Sequence, residues 1–469
     1  MHSTTEASVR QLDELPSPKG LPLLGNLLDL DPTRLHLVLE RWQAELGSPY
    51  LLRMGPRKVY VSADAEQLQT VLRERPERYR RMRQLEECID ELGANGLFSV
   101  EGEAWRPQRR LVMEALNATH FRAFFPVIQE ITQRLLRRWQ GAAQRGETVE
   151  MTKDLVRFTV DVTTALAFGE DPNTMERDGD LIQDHLSVVF PRLMARINAP
   201  VPYWRYVKLP QDRRLDRAVA AIHAHVDGLI AAARQHLRDA PRAAPRNLLE
   251  AMLRASEEAD SPIDDDVVRA NVMTLLLAGE DTTAHTLAWT MFFLAQHAQW
   301  QDRLHADACA VLGEAALPGT LDQVRGLDLF EAAANEATRL RPIIQFLFLE
   351  PNVDVVLDGV ALPAGTPMFF LLRPSMLDES RFGAPQEYRP DRWSPGHPAG
   401  VHDARAFVQF GAGPRVCPGR HLAGVEIRMV LSMLLRNFRL ELATDPASIN
   451  EVLAFTMVPS AMPVRLRAR

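Results

Sequence analysis

The chain has 469 residues, of which 46% are apolar and 25% charged, and its formal net charge is −7. This is an ordinary globular composition, with enough length to enclose a large core and a cofactor and no basic excess that would indicate a nucleic-acid-binding protein. The three cysteines exclude a disulfide framework and fit a reducing compartment. Nearly all basic residues are arginine, which favours a GC-rich, bacterial genome.

The N-terminal region carries no targeting signal that we recognise. It lacks the apolar stretch of a signal peptide, and residues 1–20 are expected to form a flexible tail before a single domain at 21–469. No uninterrupted apolar run reaches the roughly 18 residues that a membrane-spanning helix requires, because the richest region, at 272–294, contains Glu280, Asp281 and His285. We therefore expect no membrane span and a cytoplasmic protein.

Helical periodicity dominates the chain. It predicts helices near 118–140, 150–168, 212–238, 263–297, 299–313, 329–340 and 420–436. Strand-like runs are fewer, at 59–62, 353–357 and 367–372, with a turn at Asp358-Gly359 between the last two. The predicted fold class is mainly α with a small β region.

The segment at 263–297 predicts an unusually long helix. Ser261 is a candidate N-cap and Pro262 suits the first helical position, and about 35 residues correspond to about 50 Å of helix. Its middle is apolar on nearly every face, as in a helix at the centre of a large protein. Gly279, Glu280 and Asp281 nevertheless lie there, although glycine and buried carboxylates are unfavourable in such a place, which indicates a functional role.

The most specific motif is FGAGPRVCPG at 410–419. Glycines allow a loop backbone to approach a flat cofactor, and N–H groups at a helix start can stabilise a thiolate. The segment resembles the haem-binding signature FxxGxRxCxG of the cytochrome P450 family. The fixed positions of the signature are filled by Phe410, Gly413, Arg415, Cys417 and Gly419, and the resemblance makes these residues and Gly411 haem-binding.

The resemblance implies a triangular-prism fold, with haem b between the long central helix and the cysteine loop. Cys417 would be the axial iron ligand, and Arg415 would pair with a haem propionate. Trp105 and Arg109, one helical turn apart, match a family motif whose side chains also donate to a propionate. Cys88 and Cys309 are interpreted as small buried hydrophobic residues.

Two further motifs match the family. Glu336 and Arg339 lie three residues apart on one predicted helix face, and the resemblance joins them to Arg392 in a buried charge network. On the long helix, Gly279 would open a groove for dioxygen, while Asp281 and Thr282 would deliver protons.

The resemblance also predicts a substrate pocket. Its candidate lining is mainly apolar and favours a lipophilic small molecule; the residues are Phe98, Thr274, Leu275, Ala278, Ile344, Gln345, Phe346, Phe455 and Met457. The chain departs from many relatives in one place, since Met376 and Leu377 occupy the position of a His-Arg pair. Whether Arg373, just upstream, takes over a propionate contact stays open.

The activity implied is insertion of one oxygen atom from O₂ into the substrate, as hydroxylation or epoxidation, within secondary metabolism. Because the cysteine loop lies near the end of the chain, we expect electrons from a separate ferredoxin or flavodoxin with its reductase. The expected docking residues are Arg106, Arg110, Arg122 and Arg420. Two alternatives are a peroxide-driven peroxygenase on the same fold and a non-catalytic haem sensor or carrier.

Overall fold

The secondary structure is mainly helical in the computed structural model, which describes residues 9–116, 118–177, 181–199, 201–241, 245–258, 262–394 and 402–469. The helices are α1 (Leu35–Leu46), α2 (Ala65–Arg73), α3 (Arg83–Asp90), α4 (Trp105–Ala115), α5 (Ala118–Arg145), α6 (Met151–Phe168), α7 (Leu181–Ile197), α8 (Pro210–Asp239), α9 (Leu248–Ser256), α10 (Asp265–Gln296), α11 (Ala298–Leu312), α12 (Leu321–Arg325), α13 (Asp328–Leu340), α14 (Arg373–Met376) and α15 (Arg420–Asn437). The strands are β1 (Arg10–Gln11), β2 (Tyr50–Met54), β3 (Arg57–Ser62), β4 (Tyr79–Arg81), β5 (Thr148–Glu150), β6 (Phe346–Pro351), β7 (Val355–Leu357), β8 (Val360–Leu362), β9 (Met368–Leu371), β10 (Phe438–Leu442), β11 (Glu451–Leu453), β12 (Met457–Pro459) and β13 (Pro463–Ala468).

These elements confirm the predicted fold class. Each of the seven predicted helical segments corresponds to a helix, namely α5, α6, α8, α10, α11, α13 and α15. The other helices were not predicted. Most of these are short and contain too few turns to establish a helical period, but α7, with 17 residues, is longer than α11 and α13. The main sheet has the strand order β2-β3-β9-β6-β4, in which only β3 and β9 run parallel.

The turn at Asp358-Gly359 connects a different pair of strands from the one predicted. It joins β7 to β8, and not to the strand at 368–371. Both residues have positive φ, 51° and 70°, as a two-residue hairpin turn requires. The tight turn therefore reverses the chain at once into β8, which is one of the strands that the sequence analysis did not predict.

Residues 9–20 of the expected tail contact the rest of the chain, although Leu15 is the only one of them that is buried; residues 1–8 lie outside the described part of the chain. Strand β1 pairs with β8, and Leu15 is 4% exposed. Asp13 lies 3.2 Å from Arg53 and also pairs with Lys58. Burial of Leu15 and these ion pairs anchor the segment.

Helix α10 crosses the middle of the core. It begins at Asp265, because the Asp264 carboxylate accepts a hydrogen bond from the backbone N–H of Val267 and caps the helix. Pro262 therefore precedes the helix, contrary to prediction, and Ser261 lies outside the described residues. The first half of α10 packs in one large apolar cluster and the second half in another.

No helix among the described residues is long and apolar enough to cross a bilayer.

Candidate active site

The loop that carries Cys417 closes around the thiol. Cys417 follows a short turn at 413–415 and precedes α15, and its backbone N–H donates to the Phe410 carbonyl at 2.9 Å. The backbone N–H groups of Gly419 and Arg420 donate to its sulfur. The start of α15 therefore directs its free donors at Sγ, as an anionic sulfur requires.

Opposing effects act on the Cys417 thiol. Burial raises its pKa, whereas the N–H of Gly419 and the positive charge of Arg109 lower it. A thiol bound to a metal ion is deprotonated outright, so iron would complete the stabilisation that the protein supplies in part.

The glycines of this loop have different roles. Gly411 and Gly413 have φ of +73° and +66°, a conformation that favours glycine. A Cβ at Gly413 would lie 2.4 Å from the Leu72 carbonyl oxygen, so this glycine allows close contact with α2. A Cβ at Gly419 would lie 3.9 Å from Cys417 Sγ, which places Gly419 beside the sulfur.

The three predicted propionate partners lie in the same region. Arg415 donates to Glu101 at 2.5 Å and to the Val100 carbonyl at 2.7 Å, and its guanidinium lies 4.6 Å from the Trp105 ring centre. Trp105 is 6% exposed. Arg109 is partly buried and forms no ion pair or hydrogen bond with any described residue. A half-buried cation near a thiol, without a carboxylate, is suited to an anionic ligand.

The centre of α10 is accessible although most of the helix is buried. Ala278 is exposed, and Asp281 and Thr282 are partly exposed, between the two apolar clusters that enclose the helix. Burial raises the pKa of Asp281 to about 6, and the Thr282 hydroxyl donates to the Ala278 carbonyl at 3.1 Å. An open space therefore adjoins an acid and an alcohol on one face of the helix.

Gly279 does not face this space. A Cβ at this position would lie 2.4 Å from Thr163 Oγ1 and 2.7 Å from Thr163 Cγ2, so the glycine allows α10 to pack closely against α6. The expected role of Gly279 in opening a dioxygen groove stays a prediction. Ala278, which is exposed beside it, is the small residue that leaves room.

Part of the predicted pocket lining forms an aromatic wall. The rings of Phe98 and Phe455 are 6.1 Å apart, and Phe190 stacks on Phe455 at 5.7 Å. Leu275 and Phe346 belong to the same apolar cluster, and the Thr274 hydroxyl donates to the Ala94 carbonyl at 3.1 Å. Phe190, on α7, was missed because nothing in its local sequence indicates a long-range ring contact.

Three predicted lining residues lie elsewhere. Met457 is fully buried in the other apolar cluster, and Ile344 packs in a third. Gln345 is 2% exposed and donates to the Pro342 carbonyl at 2.7 Å.

Glu336, Arg339 and Arg392 are brought together in one buried network. Arg339 donates to both Glu336 carboxylate oxygens, at 2.8 and 2.9 Å, and Arg392 donates to one at 3.3 Å. Arg339 also donates to the carbonyls of Met376 and Pro385, each at 2.7 Å. Trp393, which sequence reasoning missed, donates to Glu336 at 2.9 Å.

Arg373 belongs to a different network. It donates to Glu451 at 2.8 Å and to Glu40 at 2.5 Å, and Glu451 also lies 2.8 Å from His36 and pairs with Arg341. The Arg373 guanidinium joins α1, which carries Glu40, to the β11–β12 hairpin, which carries Glu451. These two carboxylates already neutralise its charge. Arg373 is therefore already paired with carboxylates of the protein itself.

Glu426 was also missed. It lies on α15 at 2% exposure, and burial raises its pKa to about 8 despite a hydrogen bond with Thr283. A carboxyl group with this pKa is neutral at pH 7, so it stabilises the contact between α15 and α10 as a hydrogen-bonding acid.

The four arginines predicted to dock an electron donor are all exposed, and Arg106 lies 2.7 Å from Glu77.

The residues present fit haem. The observation that tests this is a partly buried arginine with no acidic partner, Arg109, beside a thiol that receives two backbone N–H groups. Trp105 places an indole with no hydrogen-bond partner among the described residues in the same region. A thiolate ligand and spare donors for carboxylates are what an iron porphyrin with two propionates needs.

Comparison with known proteins also assigns the chain to a haem-binding family. The Cytochrome P450 family model matches residues 15–464. The chain is 26% identical to cytochrome P450 97B2, chloroplastic, of Glycine max, covering 95% of this chain and 85% of that protein. It is 25% identical to cytochrome P450 4d2 of Drosophila melanogaster, over 94% and 91% of the two chains, and 25% identical to cytochrome P450 3A41 of Mus musculus, over 90% and 85%.

Proposed function

Because the chain belongs to the cytochrome P450 family, whose members bind haem b and act as haem-thiolate monooxygenases, we propose that it hydroxylates or epoxidises a lipophilic small molecule. The observation that carries the proposal is the placement of Asp281 and Thr282 on the accessible stretch of a buried helix. When bound, haem supplies the activation of dioxygen and the oxidation of the substrate. The residues of the chain supply binding, protons and exclusion of water.

Cys417 and its surroundings would hold the iron. The N–H groups of Gly419 and Arg420 donate to Sγ, which limits how strongly the thiolate donates charge to the metal. Arg415, Arg109 and Trp105 would bind the propionates through charge-assisted and neutral hydrogen bonds.

Asp281 and Thr282 would deliver protons. With a pKa of about 6, the Asp281 carboxyl group can both hold and release a proton near neutral pH. The Thr282 hydroxyl donates to a carbonyl one turn earlier and keeps a lone pair that can accept a proton from Asp281. Thr282 could then pass its own proton into the open space.

The aromatic wall of Phe98, Phe190 and Phe455 supports a lipophilic substrate. Edge-on and stacked rings present a large apolar surface, and this wall belongs to the same apolar cluster as Leu275 and Phe346. Such a surface favours flat or extended hydrocarbon skeletons over charged molecules.

We propose that electrons come from a separate ferredoxin or flavodoxin with its reductase. Four arginines, Arg106, Arg110, Arg122 and Arg420, are exposed on or near α4, α5 and the start of α15, and acidic electron carriers are attracted to such a surface. We further propose a bacterial, cytoplasmic enzyme of secondary metabolism, on the strength of the arginine-rich composition. The relatives named above come from eukaryotes.

The proton-delivering pair favours the monooxygenase over a peroxygenase. Peroxide already carries the protons that dioxygen must acquire, so a peroxygenase has no need of an acid–alcohol relay. A haem sensor or carrier likewise has no need of an acid with a pKa near neutrality beside an accessible space.

Isotope labelling tests the function directly. The purified protein is supplied with a surrogate ferredoxin, ferredoxin reductase, NADPH and a panel of lipophilic compounds that shift its Soret band. Under ¹⁸O₂, one labelled oxygen per turnover should enter the product. Product formation with peroxide alone, and none with O₂ and reductant, would establish the peroxygenase instead; no product in either case would favour a sensor or carrier.

A further inference from the structure

His285 is a buried polar residue of α10 that the proposed proton path does not use. Its side chain is 4% exposed, and burial lowers its pKa to about 4, so the imidazole is neutral at pH 7. The Nδ1 atom shares a hydrogen bond of 3.1 Å with the Thr456 hydroxyl, which is itself fully buried. Thr456 is the only hydrogen-bond partner of the ring among the described residues. Because a buried polar group is costly without a partner, the two side chains depend on each other.

Thr456 belongs to the turn that joins β11 to β12. We call residues 454–456 the hairpin turn; its middle residue, Phe455, is partly exposed and belongs to the aromatic wall. The Phe455 ring lies 6.1 Å from that of Phe98 and stacks on that of Phe190 at 5.7 Å. The position of the hairpin turn therefore decides whether the wall is complete.

The hairpin depends on the rest of the protein for its position. Among the described strands, β11 and β12 pair only with each other, over three residue pairs, and an isolated two-stranded hairpin is marginally stable at best. At the base of the hairpin, Glu451 lies 2.8 Å from both Arg373 and His36. At the start of β12, the Met457 carbonyl accepts a hydrogen bond of 3.2 Å from the Trp289 indole on α10.

The hairpin turn itself has one such contact. Of the side chains in the described part of the chain, only that of His285 forms a hydrogen bond with a residue of the turn from outside it. The bond of 2.9 Å from the Ala454 N–H to the Thr456 carbonyl lies within the turn. His285 follows Asp281 by four residues, so the two share one face of α10. The bond to Thr456 therefore fixes the aromatic wall relative to the accessible stretch of the helix.

We propose that His285 is a positioning residue for substrate recognition: through Thr456 it holds Phe455 in the aromatic wall and thereby favours the binding of large apolar molecules over small ones. Loss of the bond would leave a buried hydroxyl without a partner, which favours a different position of the turn. The Phe455 ring would then move away from the two rings that it contacts. The inference deepens the proposed function, since it rests on the lipophilic pocket proposed above.

Azole binding to the holoprotein tests the proposal without turnover. Imidazole and miconazole both bind iron through an imidazole nitrogen, but only miconazole carries aromatic rings that an apolar wall can bind. The ratio of their dissociation constants, measured from the Soret shift, therefore isolates the contribution of the wall. The variants are His285→Leu and Thr456→Val, which remove the hydrogen bond, their double variant, and His285→Asn, which places an amide near the position of Nδ1.

Thr290→Val is the matched control. Thr290 is fully buried on the same helix, and its hydroxyl donates to the Thr286 carbonyl at 2.7 Å. This variant also loses one buried hydrogen bond, but one that lies within α10. Thermal unfolding is measured for every variant. The control should keep the azole ratio of the wild type, which separates a change in stability from a change in the wall.

In His285→Leu and in Thr456→Val, the preference for miconazole over imidazole should fall roughly three- to tenfold, the scale of one aromatic pair contact. The double variant should fall no further than either single variant, because both substitutions remove the same hydrogen bond. His285→Asn should recover part of the preference. If His285→Leu does not fold, the nearly isosteric Thr456→Val decides the question.

An unchanged azole ratio in the folded single variants would overturn the proposal. So would effects that multiply in the double variant, because the two side chains would then act separately. If the ratio is unchanged but product per NADPH falls, His285 acts in proton delivery and not in positioning the wall. Azole binding needs no dioxygen, so failure of this inference is distinguishable from failure of the proposed oxygenation.

Discussion

The Glu336 network has a counterpart in a second buried group, the Glu101 cluster, in which the Glu101 carboxylate binds the guanidinium groups of Arg75 and Arg415 and the backbone N–H of Arg81. Each is built on one buried glutamate, yet the two differ in how their arginine donors are used. In the Glu336 network, the Arg339 guanidinium donates hydrogen bonds to two carboxylate oxygens and to backbone carbonyls. In the Glu101 cluster, the terminal nitrogens of Arg81 have no described partner. Full use of donors is typical of a structural network, and spare donors are typical of a binding site.

The comparison is tested most severely by Arg339→Ala. Removing one partner of a buried ion pair costs about 3–5 kcal/mol, a large share of a typical unfolding free energy of about 5–15 kcal/mol. We expect little folded protein and little haem, measured by urea unfolding and haem content. Arg325→Ala is the matched control, because Arg325 and Asp322 form an exposed pair with the same spacing, 2.9 Å apart; it should cost less than about 1 kcal/mol. Full haem content with altered substrate preference in Arg339→Ala would refute a structural role.

Gly279→Ala should cost roughly 1–3 kcal/mol, because the added methyl group would meet Thr163 in a well-packed interior. The double variant with Thr163→Ala should recover part of that loss, since the two closest contact atoms are removed. Gly228→Ala is the control: it lies inside α8 with no atom within 4 Å of the added Cβ, so it should stabilise the helix by about 1 kcal/mol. Thermal unfolding of the wild type and the three variants measures these changes in stability. A Gly279→Ala variant as stable as the wild type would support the groove interpretation instead.

The long helix and the cysteine loop could be predicted from sequence because their evidence is local. Thirty-two consecutive residues of α10 contain no proline and one glycine, and Cys417 lies within a ten-residue motif. The Glu101 cluster could not be predicted, because Arg75, Glu101 and Arg415 are remote in sequence and each resembles a surface residue. The side of the helix on which a residue lies could not be predicted either. Gly279 and Ala278 are neighbours in sequence, but Gly279 contacts α6 whereas Ala278 is exposed.

Thr282→Ala should separate chemistry from stability. Loss of one hydroxyl that back-bonds to a helix carbonyl costs only about 1 kcal/mol, whereas loss of a proton-delivering group should lower product per NADPH roughly tenfold or more, with more peroxide released. Thr286→Ala is the control, because Thr286 donates to the Thr282 carbonyl at 2.8 Å but is buried. Equal product per NADPH in the two variants would remove Thr282 from the proton path.

A smaller effect is expected from pH. Asp281 has a pKa raised from 3.8 to about 6, so its proton-donating form disappears as pH rises through 6, and product per NADPH should fall over the same range. Because the folded-state pKa is above the unfolded value, the aspartate also makes stability decline between pH 3.8 and about 6. Asp281→Asn should remove both dependences; a coupling profile identical to that of the wild type would show that Asp281 is not the acid.

The central claim, that Cys417 is the thiolate ligand of a haem monooxygenase, is tested most directly by the spectrum of the ferrous carbon monoxide complex. Wild type, Cys88→Ala and Cys309→Ala should all show the red-shifted Soret band that gives the cytochrome P450 family its name, since Cys88 is buried in the core and Cys309 lies on α11 beside His305. Cys417→Ala should lose it. A freshly purified, active wild-type protein without that band, or a Cys417→Ala variant that keeps it, would contradict the account.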